Sequence, residues 1–194
     1  MIRIAENFLG ISKAYKDKLL VTYYNEKVLP LVKRKYAIKT NDEWCAMFVS
    51  VIAHKFGLTD FPFEVSCYYQ MVWGKNKGVW HGREYTPKPN DLIYYDWGKG
   101  NRINHVGIVV SVNGNSLKVI EGNTGGTVAY RNIDRLHRTV KGFISLDLGS
   151  SDVHGISLDE LVKRTLRGEY GSGNERKQAL GSRYNEVQKA INNR

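Results

Sequence analysis

Cysteine is nearly absent from these 194 residues: there are two, too few for a disulfide framework, and Cys67 is not spaced from Cys45 as a metal pair would be. Proline is scarce as well, with four in the chain, and a hydrophobic content of 42% argues against a mainly disordered protein. No apolar run is long enough to span a bilayer. The opening Met1-Ile2-Arg3-Ile4-Ala5-Glu6-Asn7 has neither the hydrophobic core nor the small-residue cleavage site of a signal peptide. The expectation is a chain made in a cytoplasm that reaches any outside target by another route. Carboxylates are the scarcer charge, 19 against 29 Lys and Arg, for a net +10. Such a surface favours anionic surroundings. The densest basic run, Lys33-Arg34-Lys35, has no interleaved aromatics of a nucleic-acid motif and reads as a solvated face.

What is present changes character along the chain. The first part is helical: an amphipathic stretch from Ala14 to Val28 before Pro30, an apolar segment from Cys45 to Gly57, and a third from Ser66 towards Gly78. After Pro87 and Pro89 come short β-rich runs at 91–97, 105–112, 116–122, 127–130 and 142–146. Helices followed by an antiparallel sheet make an α+β domain. Beyond a turn-rich linker, helical patterns at 157–166, 174–180 and 184–191 predict a small three-helix module, with Ser157 and Glu160 spaced as a capping box.

Cys45 is the first chemical candidate. Thr40 and Glu43 have capping-box spacing, and Asn41 and Asp42 are alternative caps, so Cys45 is expected in a first helical turn. Unpaired N–H groups there favour a thiolate and can hold an oxyanion. A cysteine nucleophile needs a base and a group that orients the base. Asn113-Gly114-Asn115 is a turn signal between two strand patterns, and folding back there brings His105 beside Glu121-Gly122-Asn123. A three-residue loop sets His105 opposite Asn123 and on the face of Glu121, whereas a two-residue loop turns both away; the chemistry predicts the three-residue register. Cys67 has no base in its own helix and reads as outside the chemistry. His54, His81, His137 and His154 lack ligand or triad spacing and read as structural or surface residues.

Four segments resemble the cysteine, histidine-dependent amidohydrolase/peptidase (CHAP) domain of phage endolysins, a papain-like relative of NlpC-type wall peptidases. They are Asp42 to Ser50, Tyr85 to Trp97, His105 to Val109 and Ile120 to Thr124, in family order. The resemblance implies a papain-like, NlpC-like domain over 1–147 with helices packed on an antiparallel sheet. It makes Cys45 the nucleophile and His105 the general base and acid, with Glu121 orienting His105 and Asn123 assisting or taking that role. Asn90 departs from the family's usual glycine before the aspartate. The aspartate-rich calcium loop of some relatives is missing upstream of Cys45, so no metal and no cofactor are expected. A second resemblance, over Leu161 to Gln188, is to the CW-seven type of cell-wall-binding repeat, with Tyr170 in place of the usual tryptophan. It implies a linker at 148–155, a wall-binding repeat at 156–194, and Tyr170, Asn174 and Arg176 as substrate-binding residues.

Together the resemblances imply a phage-type peptidoglycan hydrolase acting on the wall after release. They favour an N-acetylmuramoyl-L-alanine amidase, with an endopeptidase of the same site or a non-catalytic wall-binding protein as alternatives. The expected partners are bacterial peptidoglycan and anionic wall polymers, with no nucleic acid and no membrane span.

Overall fold

Alternating apolar residues in the middle of the chain build a six-stranded sheet, seen in the computed structural model, which describes residues 1–98, 102–146, 156–180 and 183–193. Its strands are β1 (Trp80–His81), β2 (Leu92–Tyr95), β3 (His105–Asn113), β4 (Ser116–Thr124), β5 (Thr127–Asp134) and β6 (Val140–Ile144). They lie in the order β1-β6-β2-β3-β4-β5, and every pairing is antiparallel. β1 is too short for periodicity to reveal, and β5 runs four residues past the expected Tyr130. One part of the core joins Ile93, Tyr95, Val109, Leu117, Val119, Val140 and Phe143.

The helices precede the sheet, as the pattern predicts. After α1 (Ile2–Glu6), a helical run α2 over 13–31 opens at Lys13–Lys16 and winds through wider π-type turns at Asp17–Val21 and Tyr24–Val28. Helix α3 (Cys45–Phe56) packs on β3 and β4. It is buried at every position from Cys45 to Ala53, as expected of a helix apolar nearly all round. Gly57, at φ 91°, ends it in the left-handed region that glycine enters without a Cβ penalty. Helix α4 (Cys67–Asn76) follows. Gln70 clamps α4 to α3: its Nε2 lies 3.2 Å from the Ala46 carbonyl, 3.2 Å from Ser50 Oγ and 2.8 Å from the Glu64 carbonyl, while Tyr94 donates to its Oε1.

The β3–β4 hairpin corrects the three-residue loop. Asn113 pairs with Ser116, so the loop is the two residues Gly114 and Asn115. The register then shifts between Val109 and Ser111, and beyond this bulge Val109 pairs with Val119 and Ile108 with Ile120. One extra residue on β3 restores the facing that a two-residue loop alone would lose. His105 and Glu121 therefore meet after all.

Asn90 has φ 79°, a left-handed conformation that asparagine tolerates better than most side chains. Its Oδ1 also accepts the Ile2 N–H at 3.2 Å.

The chain divides into two compact units, Met1–Leu146 and Asp147–Arg194. In the second, α5 (Leu158–Leu166) and α7 (Tyr184–Asn192) form the frame, with the helical segment α6 (Gly173–Leu180) between them in sequence. Leu161, Val162, Leu180 and Val187 make its small core. Ser157 caps α5 by accepting the Glu160 N–H at 3.3 Å. The return half of the expected box is replaced by ion pairs from Glu160 to Arg164 and Arg167. The linker expected at 148–155, His154 included, lies outside the described residues.

Candidate active site

Cys45 is the first residue of α3, but the expected capping box does not form. Trp44 holds the cap position at φ −125° and ψ 14°, with no side-chain cap hydrogen bond. Asp42 turns back instead and accepts from the Lys39 N–H and the Tyr36 hydroxyl. No side chain therefore occupies the N-terminal N–H groups at Cys45, and they can serve a developing negative charge.

His105 arrives from β3. His105 Nε2 lies 3.0 Å from Glu121 Oε2, which leaves Nδ1 as the ring atom for Cys45. Glu121 is fully buried on β4 and carries three partners: His105, the Thr124 hydroxyl at 2.7 Å, and Arg131, whose Nε donates to both carboxylate oxygens at 3.0 and 2.8 Å. Arg131 in turn lies over the Trp97 ring, and Trp97 stacks on Tyr95. Gly107 makes room for this arrangement. A Cβ there would lie 2.5 Å from Val119 Cγ1 and 2.7 Å from Glu121 Cγ. Gly107→Ala should therefore cost about 1–3 kcal/mol of stability and lower turnover by displacing Glu121, measured by urea unfolding and wall-hydrolysis rate.

Asn123 does not orient His105. It is in the left-handed region at φ 62°, and its amide donates to Glu43, from the loop before α3. The partner that buttresses the His–Glu pair is Arg131, one strand further along the sheet. Sequence patterning misses it because an arginine ten residues past Glu121 resembles any surface cation.

Cys67 is the larger correction. Its Sγ lies 3.7 Å from Cys45 Sγ, both thiols are free, and both are buried. The Cys45 Sγ is also 3.8 Å from the Asn104 carbonyl oxygen. A hydrogen bond from Cys67 is the largest influence on Cys45; burial opposes it, and the His105 hydrogen bond and charge add to it, bringing the Cys45 pKa down to about 5. Cys67 keeps its own proton as the donor to Cys45, so its thiol is pushed well above the usual range, by that same bond and then by burial. Burial drives the His105 pKa down, but hydrogen bonds with Cys45 and Glu121 outweigh it and raise the value to about 9. Burial likewise opposes ionisation of Glu121, yet His105, Thr124 and Arg131 hold it below the ordinary carboxylate value. Cys45 favoured as a thiolate, His105 favoured as an imidazolium and the Glu121 carboxylate are an arrangement that can act as a nucleophile, an acid–base group and its orienting partner.

Two clefts open on this domain, and one of them reaches the site. One of about 490 Å³ opens on His105, with Trp97, Asn123 and Arg131 in its wall. Another, of about 740 Å³, begins at Tyr68, next to Cys67, and at Ile103, next to Asn104, and is lined further by Lys75, Trp80, Arg102 and Lys141.

Among the described residues the other histidines each bond a neighbouring hydroxyl: His54 that of Tyr23, His81 that of Ser145, and His137 that of Thr139. Among the described residues no group of three or more His, Cys, Asp or Glu side chains could hold a metal ion, and no helix is long and apolar enough to cross a membrane. In the C-terminal unit the three expected binding residues have different settings. Tyr170 packs against the small core, and Arg176 bonds the Gly171 carbonyl at 3.0 Å and Gln188 Oε1 at 3.3 Å. Asn174 is exposed.

A family model of the CHAP domain matches residues 37–123, and one of the CW_7 repeat matches residues 159–194. Two solved structures of Ly7917, one of them with the hydrolyzing product of MDP, are similar at 16% and 17% identity with TM-scores of 0.38 and 0.37. Each likeness covers 53% of this chain, which itself spans about half of those proteins, 52% and 53%. None of the curated proteins compared matches.

Proposed function

The chain carries a CHAP domain followed by a CW_7 repeat, and from that premise we propose that it is a cysteine-dependent peptidoglycan hydrolase of the phage endolysin type. The observation that carries the reading is the buried Cys45–His105–Glu121 line at the start of α3. The Cys45 thiolate attacks an amide carbonyl, and the N–H groups at the head of α3 hold the oxyanion, each such donor being worth about 3 kcal/mol. His105 Nδ1 then gives its proton to the departing amine. Water, deprotonated by His105, hydrolyses the thioester and restores both groups. Glu121, held by Arg131, keeps the imidazole ring in place through the cycle.

We take the bond to be the amide between the muramic lactyl group and L-alanine, so the activity is that of an N-acetylmuramoyl-L-alanine amidase. The larger cleft suits this substrate class, since Lys75 and Arg102 can face carboxylates of a peptide stem while Tyr68 and Trp80 offer rings to a sugar. The C-terminal module, with α6 as its third helix, keeps the enzyme on an insoluble polymer, and the net +10 favours anionic walls. We also take the chain to be made in the host cytoplasm and to act on the wall after release. Digestion of purified walls, followed by identification of new amino termini by mass spectrometry, tests the assignment. New alanine termini with free lactyl carboxylates are expected; any other terminus makes the enzyme an endopeptidase, and none at all makes the protein a wall binder.

The rate should be bell-shaped in pH. Cys45 takes up a proton as pH falls through about 5, and His105 loses one as pH rises through about 9. The limbs belong to the coupled pair and not to either residue alone. A kcat/KM profile flat through both limbs would remove the ion pair from the mechanism. Deleting residues 156–194 should weaken binding to intact walls at least about tenfold while soluble muropeptide is cleaved at nearly the same rate. Co-sedimentation with walls and a soluble-substrate assay measure the two effects.

A further inference from the structure

The geometry points to a modification that the hydrolytic cycle does not use: Cys45 and Cys67 form an oxidation-sensitive pair that peroxide closes into a reversible disulfide. The two sulfurs lie 3.7 Å apart, on the first residues of α3 and α4. Bond formation requires them to approach by about 1.7 Å, to the roughly 2.05 Å of a disulfide, a distance that side-chain rotation at two helix starts can cover. The Gln70 clamp ties α4 to α3, the two helices that carry the facing thiols. Cysteine is otherwise absent from the chain, which makes any other intramolecular pairing impossible.

The chemistry needs an oxidant, and hydrogen peroxide serves. The Cys45 thiolate attacks one peroxide oxygen, the O–O bond breaks, and Cys45 becomes a sulfenic acid as hydroxide leaves. The Cys67 sulfur then attacks the Cys45 sulfur. The S–O bond breaks, the departing hydroxide takes the Cys67 proton as water, and the S–S bond is formed. Two thiols lose two electrons in total, and one peroxide is reduced to two waters. Cys67 is a poor nucleophile while Cys45 is anionic, because that neighbouring charge holds its proton on. Oxidation of Cys45 removes the charge, so Cys67 gains reactivity at the step where it is needed. The disulfide silences the nucleophile, yet it also shields it from the irreversible sulfinic and sulfonic stages. The pairing stands on the two thiols and holds whichever wall bond is cleaved.

The test treats the reduced full-length protein with hydrogen peroxide, blocks free thiols with iodoacetamide, and maps peptides without reduction. One cross-linked species containing Cys45 and Cys67, lighter by two hydrogens than the separate peptides, is expected. Wall hydrolysis should fall at least about tenfold and return to within about twofold on addition of dithiothreitol. Cys67→Ser, with its rate referred to its own untreated sample, should lose activity that dithiothreitol does not restore, and its Cys45 should carry two or three oxygens. Wild-type protein with over-oxidised Cys45 and a free Cys67 would overturn the proposal, as would two alkylated thiols at a peroxide dose that oxidises an ordinary protein thiolate. Because the peptide map reads the thiols directly, it decides the pairing even for a protein that cleaves no wall, and it needs no folded variant.

Discussion

Replacing Cys45 by alanine or serine should lower wall hydrolysis by at least about three orders of magnitude and leave the fold in place. In the proposed mechanism the residue supplies the bond-forming atom, and its position at the head of α3 beside Cys67 and His105 favours the thiolate. Serine is no substitute, because a hydroxyl has none of the thiol's readiness to ionise beside an imidazolium. The structural cost is small: one sulfur is removed from a site 4% exposed, about 1 kcal/mol for a vacancy of that size. Circular dichroism and co-sedimentation with walls should match the unaltered protein. Activity within a few-fold of it would take Cys45 out of the mechanism.

His105→Ala should be about as damaging, and the double variant with Cys45→Ala should be little worse than either single one, because members of a catalytic unit fail together. Loss of His105 also leaves Glu121 buried with Arg131 and Thr124 but without its imidazole. Stability should therefore fall as well as rate, which urea unfolding would register. Glu121→Gln should be intermediate, since the ring keeps a hydrogen-bond partner and loses only the charge that favours the imidazolium. Asn123→Ala should change the rate by no more than a few-fold, because its amide is engaged with Glu43 and not with His105. A loss from Asn123→Ala equal to that from Glu121→Gln would reassign the orienting role.

The chemistry-bearing residues are legible because their types are restrictive and their elements are local. A helix that ends at Gly57 and a hairpin around Gly114-Asn115 can be read from short-range periodicity and turn chemistry. Cys67 looks inert in the sequence because its own helix holds no base. Its partner lies 22 residues away, and the contact exists only because Gln70 seats α4 against α3. Arg131 escapes notice because salt-bridging arginines and solvated ones look alike in a sequence. Gly107 is legible as a motif position, but the reason for it, a Cβ colliding with Glu121, needs the neighbouring strand.

By itself the sequence determined the order of helices and sheet, and it marked Cys45 and His105 as the pair that the proposed mechanism uses. These follow from apolar period, turn residues and side-chain chemistry, which act over a few residues. Only the tertiary structure decided how the base is aimed. The hairpin loop is two residues long and would have turned His105 from Glu121, had a bulge between Val109 and Ser111 not shifted the register back. It likewise decided that Trp44 and not Thr40 stands at the head of α3, that Asn123 serves Glu43, and that a second thiol touches the first. Each of these is settled by packing between segments far apart in the chain, where the cost of a buried unpaired group or a steric clash outweighs any local preference.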